Sequence, residues 1–300
     1  MEIRDGVVRR GMWQLAHTVG RVVGVTAARR VARAVGTVEG VTDDGVRRIA
    51  LRVSPRLATA NPGLVKVSPG WASSVTVRRQ GLEWELDLRD NLQAVFYYAG
   101  RYEPAVRRFL LRELRRGDVV LDVGANIGVH ALTAAKQLQE LGGGRVIAFE
   151  PAADSVAKLG AGAARNGVQL EVVPMALGER QEQVALRADS RYDEADAGVR
   201  SLYGDGAVVQ EVPVVRLDDW ARQHELDRLD VVKLDIEGAE PAALSGGSHT
   251  FKRLRPRAVL VEDKRPEARA QLHALLDEFG YLPTGEVLDH NALFRPAPCA

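Results

Sequence analysis

The segment Leu121–Gly128, which reads LDVGANIG, constrains the fold of this chain more than any other. An apolar run, VVLDVG, leads into it, and a helical stretch, IGVHALTAAKQLQELG, continues from it. This pattern predicts a buried strand, a tight glycine turn and a helix. Ligands of open α/β sheets bind beyond the carboxyl ends of the strands, and glycine lets the backbone come close to them. The segment therefore predicts a ligand-binding loop.

The chain after residue 104 continues this alternation of apolar strands and helices. EPAVRRFLLRELRRG and SVAKLGAGAARNG read as helices, and RVIAFE, LEVVPMAL, VVKLDIEG and AVLVED read as strands. A further helix is expected from Pro241 to Leu254, and the tail predicts a helix and a two-stranded hairpin at the sheet edge. Apolar strands bounded by helices are typical of parallel sheets covered on both faces. We therefore expect an α/β fold with a doubly wound, mostly parallel, seven-stranded sheet (Rossmann-like).

The N-terminal part of the chain differs from this domain. Residues 1–60 carry 11 Arg and 5 acidic residues and predict an Arg-rich helical extension. Residues 61–103 contain SSVTVRR and LEWELDLRD separated by QG, which predicts a β-hairpin, followed by a lid segment. The Arg excess is compatible with an anionic partner, but we favour a solvated helix face and expect no nucleic-acid partner. Residues 104–300 then form the α/β domain.

The sequence also bears on cellular location. The only cysteine is Cys299, so no internal disulfide indicates an oxidising compartment. No apolar run reaches the roughly 18 residues that a membrane span needs, and the N-terminus lacks a signal-peptide core. We expect a cytoplasmic protein without stable membrane insertion, and a homodimer is compatible with the sequence.

Two acidic residues at strand ends narrow the choice of cofactor. The loop has the spacing GxxxG, whereas dinucleotide domains use GxGxxG and P-loops need Lys and Ser or Thr after the second glycine. Asp122 would repel a pyrophosphate but suits the sulfonium and ammonium groups of S-adenosylmethionine. Glu150, at the end of the next strand, can accept hydrogen bonds from both ribose hydroxyls. The ordered pair predicts S-adenosylmethionine, and the loop spacing disfavours an NAD-dependent oxidoreductase.

Each of these residues also has a purely structural interpretation. Asp122 can cap the helix that follows it, and Glu150 can be an exposed strand-end carboxylate. For Asn126 we favour a helix cap over a substrate contact, although its backbone still lines the cofactor loop.

Several further segments complete a recognisable pattern. They are AGRYEP, VVLDVGANIGVHAL, VIAFEP, VPVVRLDDW, DVVKLDIEGAEPAAL and the terminal NALF, and LDVGANIG followed by KLDIEGAE is the most specific combination. From about Asp87 to Phe294 the chain thus resembles the FkbM-type family of class I S-adenosylmethionine-dependent methyltransferases. The resemblance implies one antiparallel strand in the sheet and methyl transfer, usually to oxygen. It also implies sugars or natural products as hydroxyl-bearing acceptors, and thus a place in natural-product biosynthesis.

The resemblance implies cofactor contacts at specific positions. The methionine part would lie on the glycine loop, which contains Asp122, Gly124, Ala125, Asn126 and Gly128. Glu150, followed by Pro151, would hold the ribose, and Ala176 in the segment Met175-Ala176-Leu177 would flank the adenine. Asp235, at the end of the fourth strand, would face the transferred methyl. Tyr102 and Glu103 match a family feature and are expected to form a lid over the cofactor.

The acceptor hydroxyl needs a base, which typically speeds such a reaction by about 10²–10⁴-fold. Asp235 is the best-placed candidate, because a fourth-strand terminus faces the pocket, although it can instead cap the following helix. The further candidates are His130, Glu262, Glu237 and His290.

Other polar residues near the expected site have less specific interpretations. Glu262 and Asp263 could join Asp235 around Mg²⁺, because hard oxygen ligands suit that ion, but we favour a site without metal. We interpret His249 as structural. Ser201 lies in the segment DEADAGVRSLYGDG, residues 193–206, which predicts a mobile substrate loop.

Two further functional hypotheses stay open at this point. One is a non-catalytic partner subunit with a methyltransferase fold, although such a subunit is expected to have lost the cofactor loop. The other is methyl transfer to nitrogen, on a peptide or an amine. No motif identifies the acceptor.

Overall fold

The computed structural model describes residues 74–87, 90, 92–93, 96–97, 100–188, 200–263 and 266–298. The expected helical extension of residues 1–60 lies outside the described residues, as does much of the expected substrate loop. The chain divides into two compact units, Met1–Tyr102 and Glu103–Ala300. Within the described residues, no helix combines the length and apolar character that crossing a bilayer requires.

The first unit contains an antiparallel hairpin of β1 (Ser74–Arg79) and β2 (Leu82–Asp87). Its turn residues, Gln80 and Gly81, both have positive φ angles, 53° and 83°. Two such residues in succession form the tight turn that matches the twist of paired strands. Alternate side chains of β2 are buried, as expected for a strand with one face on a core. The predicted hairpin is confirmed.

The second unit contains a large sheet and a small one. Its strands are β3 (Val119–Val123), β4 (Arg145–Phe149), β5 (Glu171–Val173), β6 (Ala176–Leu177), β7 (Glu182–Arg187), β8 (Val208–Val215), β9 (Val231–Leu234), β10 (Ala258–Glu262), β11 (Tyr281–Leu288) and β12 (Asn291–Pro296). The large sheet has seven strands in the order β11-β12-β10-β9-β3-β4-β5. β12 is antiparallel to both of its neighbours, and the other pairs are parallel. The expected fold class and the edge hairpin are confirmed.

Helices connect these strands. They are α1 (Pro104–Glu113), α2 (Val129–Glu140), α3 (Ala153–Asn166), α4 (Leu217–Gln223), α5 (Glu240–Gly246), α6 (Ser248–Leu254) and α7 (Pro266–Glu278). Every residue of β3, β9 and β10 is buried. Since successive side chains point to opposite faces of a sheet, both faces are covered at its centre. The strand order reverses between β3 and β9, and this reversal is where ligands of such sheets bind.

The structure corrects two of the expected elements. The segment LEVVPMAL is not one strand, because Pro174 lacks an N–H and ends β5, and the chain turns through a Met175 N–H···O Val173 hydrogen bond of 2.8 Å. β6 then enters a separate three-stranded sheet with β8 and β7, which the sequence analysis did not predict. The helix expected from Pro241 to Leu254 is interrupted at Gly247 and forms α5 and α6.

The first helix of the second unit is capped by a residue near the other end of the chain. Glu103 is the N-cap residue of α1 by position, but its side chain makes no capping hydrogen bond. The N–H groups of Ala105 and Val106 instead donate to Asp289 Oδ2, at 2.8 and 3.2 Å. Asp289 lies between β11 and β12, so the terminal hairpin satisfies backbone donors that α1 cannot satisfy itself.

An ion-pair network lies at the amino ends of the parallel strands, opposite the glycine loop. Asp118 precedes β3, and its buried carboxylate accepts from Arg257 Nη1 at 3.1 Å and from Arg228 Nη2 at 3.3 Å. Arg257 precedes β10 and also donates to Glu113 Oε1 at 3.0 Å. The side chain of Arg257 is 22% exposed and that of Arg228 is 51% exposed, so Arg257 is the more buried of the two counter-ions of Asp118.

Arg257→Ala is expected to lower the free energy of unfolding by about 3 kcal/mol, because it leaves a buried carboxylate with one solvent-exposed cation. Urea denaturation followed by circular dichroism measures this loss. The matched control is Arg222→Ala, which removes an exposed pair with Asp219 and is expected to cost less than about 1 kcal/mol. Equal losses in the two variants would show that the buried network does not stabilise the sheet.

Candidate active site

The glycine loop between β3 and α2 is held against the ends of neighbouring strands. The N–H groups of Gly124 and Ala125 both donate to the carbonyl of Phe149, at 2.9 and 3.0 Å. Gly124 has a φ of +81°, and an added Cβ would lie 1.9 Å from the carbonyl oxygen of Asp235. Gly128 has a φ of +90°, and a Cβ there would lie 2.2 Å from Leu159. Glycine is therefore required at both positions, because neighbouring atoms leave no room for a Cβ and because the φ angles are positive.

Glu150 is tied to this loop and is not an exposed carboxylate. Its side chain accepts from Asn126 N at 2.8 Å and from Ala152 N at 2.9 Å, and the residue is 7% exposed. Burial raises the pKa of Glu150 to about 7, although these two N–H groups oppose the shift. The interpretation of Glu150 as an exposed strand-end residue is wrong.

Asn126 lies in the loop rather than at the helix cap. The N-cap of α2 is Gly128, and Asn126 has a left-handed φ of 51°. Asn126 Oδ1 accepts from Ile127 N at 2.7 Å and from Ser155 Oγ at 3.4 Å. The expected cap is thus replaced by bonds that shape the loop, while the Asn126 backbone binds Glu150 as described above.

Asp122 is a buried carboxylate without a hydrogen bond. The residue is 2% exposed, and neither carboxylate oxygen has a hydrogen-bond partner among the described residues. Burial raises the pKa of Asp122 above its ordinary range, and Lys233 opposes that shift. Asp122 caps no helix, so that structural interpretation is wrong. The side chain is available to a ligand with donors or positive charge.

A buried group of charged residues adjoins Asp122. Lys233 Nζ, on β9, lies 2.8 Å from Asp235 Oδ2 and 4.0 Å from Glu103 Oε2. Glu103 Oε2 is also 2.6 Å from His130 Nε2. Burial disfavours the charged form of Lys233, but Asp235 and Glu103 outweigh it and raise the pKa of its ammonium. Burial likewise opposes ionisation of Glu103, yet Lys233 and His130 hold its pKa below the usual range.

Three carboxylates meet at the ends of β9 and β10. One oxygen each from Asp235, Glu237 and Glu262 lies within 4.8 Å of the others, a spacing that could hold a metal ion. Asp263 was expected in this group, but its carboxylate pairs with Arg269 Nε at 2.6 Å. Asp235 is not the cap of α5 either, since the N-cap is Ala239.

The comparison with protein families agrees with this geometry. Residues 122–283, more than half of the chain, match the family model described as the methyltransferase FkbM domain. The chain belongs to the FkbM methyltransferase family. It is an S-adenosylmethionine-dependent methyltransferase, and the predictions of family and enzyme class are confirmed.

Named methyltransferases are among the curated proteins to which this chain is similar. The chain is 28% identical over 196 residues to hexuronic acid methyltransferase AglP of Haloferax volcanii, covering 65% of this chain and 72% of AglP. It is 30% identical over 203 residues to 31-O-demethyl-FK506 methyltransferase FkbM of Streptomyces tacrolimicus, covering 58% and 76%. The crystal structure of methyltransferase FkbM from Methylobacillus flagellatus is similar at 15% identity and a TM-score of 0.42, over 67% of this chain and 52% of that one.

Three further residues of this FkbM methyltransferase were predicted to contact the cofactor, namely Ala176, Pro151 and Tyr102. Ala176 is buried at the start of β6. Pro151 follows Glu150, and its carbonyl accepts from Gln210 Nε2 at 3.2 Å. Tyr102 is the last residue of the first unit, and its role as a lid stays a prediction.

Three other residues considered in the sequence analysis are Ser201, His290 and His249. Ser201 Oγ donates to the carbonyl of Glu237 at 2.9 Å, so Ser201 lies next to the site. His290 is exposed in the terminal hairpin, and its carbonyl accepts from Asp263 N at 3.1 Å. His249 is exposed, and its N–H donates to Asp218 at 3.2 Å, which agrees with its structural interpretation.

Lys233 is the site residue that the sequence analysis missed. The signal was present, because VVKLD places one lysine inside an otherwise apolar strand that adjoins the glycine-loop strand. A lysine that is 3% exposed must be paired with carboxylates. Asn291 was also missed, and its Nδ2 donates to Glu103 Oε1 at 3.5 Å.

Proposed function

We propose that this FkbM methyltransferase transfers a methyl group from S-adenosylmethionine to a hydroxyl oxygen of a small molecule, a sugar or a natural product. The observation that carries this proposal is Asp122, a buried carboxylate with no hydrogen bond among the described residues, beside a loop in which Gly124 and Gly128 leave no room for a Cβ. An unpaired buried charge is costly to the folded protein and is relieved by a cationic ligand. The residues present therefore fit this cofactor.

The proposed cofactor contacts follow from the loop. Asp122 would hold a cationic group of the methionine part, and the backbone from Gly124 to Gly128 would approach it closely. Glu150 still has carboxylate lone pairs beyond its two backbone bonds, and these would accept the ribose hydroxyls. We keep Ala176 as the adenine contact and Pro151, Tyr102 and Glu103 as further cofactor residues.

The acceptor side rests on the carboxylates at the ends of β9 and β10. When bound, the cofactor supplies an already activated methyl group on a sulfonium. The protein then has to orient the hydroxyl and take its proton, and Asp235 is the proposed base, with His130 and Glu262 as the alternatives. AglP is named for a hexuronic acid and NoeI of Sinorhizobium fredii is named a 2-O-methyltransferase, which supports oxygen over nitrogen and a sugar as the first acceptor to test.

Asp122→Asn is expected to weaken S-adenosylmethionine binding by at least about 100-fold, because it removes the buried charge opposite the cofactor cation. The same change is expected to raise the free energy of unfolding of the ligand-free protein, since an unpaired charge is lost. Isothermal titration calorimetry and urea denaturation measure the two effects. Wild-type affinity in Asp122→Asn would refute the cofactor site, and labelled-methyl transfer to D-glucuronic and D-galacturonic acid tests the acceptor class.

The affinity for S-adenosylmethionine is expected to rise about tenfold from pH 6 to pH 8 through Glu150 alone. With a pKa of about 7 in the free protein, this carboxyl is mostly protonated at the lower pH, and its ionised form is the better acceptor for ribose hydroxyls. Glu150→Gln serves as the control, because any pH dependence that it retains comes from other groups. If the slope is the same in both proteins, Glu150 does not hold the ribose.

The carboxylates of this site also raise the question of whether the reaction needs a divalent cation. Asp235, Glu237 and Glu262 have the spacing for Mg²⁺, but Asp235 already pairs with the Lys233 ammonium, which would repel a cation. We therefore propose methyl transfer without a metal. Activity that is lost after EDTA treatment and restored by MgCl₂ would contradict this part of the proposal.

A further inference from the structure

The buried ammonium of Lys233 adjoins the carboxylates of Asp122, Asp235 and Glu103 in this site. The side chain of Lys233 is 4% exposed, and Glu103 and Asp235 are 7% and 16% exposed. Asp122 lies opposite Lys233 in the register of β3 and β9, so both side chains project to the same face of the sheet. Asp122 is thus a cross-strand neighbour of Lys233 that carries a carboxyl group.

The observed pairing is different. Lys233 Nζ lies 2.8 Å from Asp235 Oδ2, whereas neither oxygen of Asp122 is hydrogen-bonded among the described residues. Glu103, whose side chain is 7% exposed, adds a second negative charge at 4.0 Å from Lys233 Nζ. The Glu103 carboxylate is itself fixed by His130, at 2.6 Å, and by Asn291.

We propose that Asp235 and Glu103 hold the Lys233 ammonium away from Asp122 and thereby keep the Asp122 carboxylate open for the cofactor cation. Asp235 and Glu103 are then positioning residues, which contribute to cofactor affinity by anchoring Lys233. This inference rests on the proposed function. It predicts that loss of an anchoring carboxylate lets Lys233 turn to Asp122 and compete with S-adenosylmethionine.

The test is a double-mutant cycle read by isothermal titration calorimetry with S-adenosylmethionine, without any acceptor. Asp235→Asn is expected to weaken binding about tenfold, a typical coupling for one close charge pair. Asp235→Asn combined with Lys233→Met is expected to restore affinity to within about threefold of wild type, because the competing ammonium is gone. The double variant removes one charge of each sign, so the net charge of the site is kept.

Several results would overturn the inference. If the double variant binds as weakly as Asp235→Asn, or more weakly, Asp235 acts on the cofactor directly and Lys233 does not compete. Unchanged affinity in Asp235→Asn would also refute it. Asp219→Asn, which removes a charge from an exposed pair with Arg222, is the control and is expected to bind as wild type does.

A second pair keeps the inference testable if the first variants unfold. Glu103→Gln is expected to weaken binding in the same direction by a smaller factor, because its 4.0 Å contact with Lys233 is longer, and Lys233→Met is again expected to reverse the loss. Circular dichroism verifies that each variant is folded before titration. If the wild-type protein itself does not bind S-adenosylmethionine, the proposed function is wrong. If the wild type binds but Lys233→Met does not restore the affinity lost in the carboxylate variants, only the inference about Lys233 is wrong.

Discussion

Gly124→Ala is expected to abolish S-adenosylmethionine binding and to destabilise the second unit by several kcal/mol. The new Cβ would lie 1.9 Å from the carbonyl oxygen of Asp235, a contact that only a shift of the loop or of the end of β9 can relieve. Either shift displaces a predicted cofactor contact. The change also forces an alanine into a positive φ of +81°, which costs about 1–2 kcal/mol by itself.

Gly167→Ala separates these two contributions. Gly167 has a φ of +60°, and no atom lies within 4 Å of a Cβ built there. That variant is expected to lose only the conformational part, about 1 kcal/mol, and to keep wild-type affinity. Urea denaturation and calorimetry compare the two proteins. If Gly124→Ala behaves like Gly167→Ala in both measurements, the close approach of the loop to β9 is not a requirement of the site.

Asp235→Asn is expected to lower kcat by about 10²–10⁴-fold at a cofactor concentration that saturates the variant. Asparagine keeps the shape of the side chain, but it cannot take a proton from the acceptor hydroxyl. Labelled-methyl transfer to the acceptor identified in the hexuronic acid assays measures the effect. The saturating concentration matters because the pairing with Lys233 predicts weaker cofactor binding as well.

Glu262→Gln and His130→Gln are the comparison variants for the base. The Glu262 carboxyl and the His130 imidazole are the two alternatives kept for this role, so the largest fall in kcat identifies the base among the three. Wild-type kcat in Asp235→Asn would remove Asp235 from this role. Asp219→Asn, which removes a charge from an exposed pair with Arg222, is expected to leave kcat unchanged.

Much of the central sheet could be predicted from the sequence, because its strands are short apolar runs bounded by helices. β3, with five buried residues, is both the clearest strand and the origin of the glycine loop. The prediction was wrong at Pro174, where the expected strand ends, and at Gly247, where the expected helix is interrupted. Each interrupts a run whose apolar pattern continues on both sides, and periodicity alone does not show that the chain changes sheet or helix there.

The site could be predicted where a residue's role depends on local sequence, and not where it depends on pairing across strands. Asp122 and Glu150 follow from their positions at strand ends. The contact of Lys233 with Glu103, by contrast, joins residues from two elements that are far apart in the chain. Asp263 is a local exception, because it pairs with Arg269, six residues later in α7, and this pairing removes it from the carboxylate group.

The capping of α1 by Asp289 sets the order in which the protein can become functional during synthesis. The two N–H groups that Asp289 satisfies follow directly after Glu103, and Asn291 contacts the same glutamate. The ribosome has therefore to release the hairpin of β11 and β12 before Asp289 can cap α1 and Asn291 can contact Glu103. A nascent chain that stops short of the terminal hairpin is expected to carry the complete glycine loop and yet remain inactive.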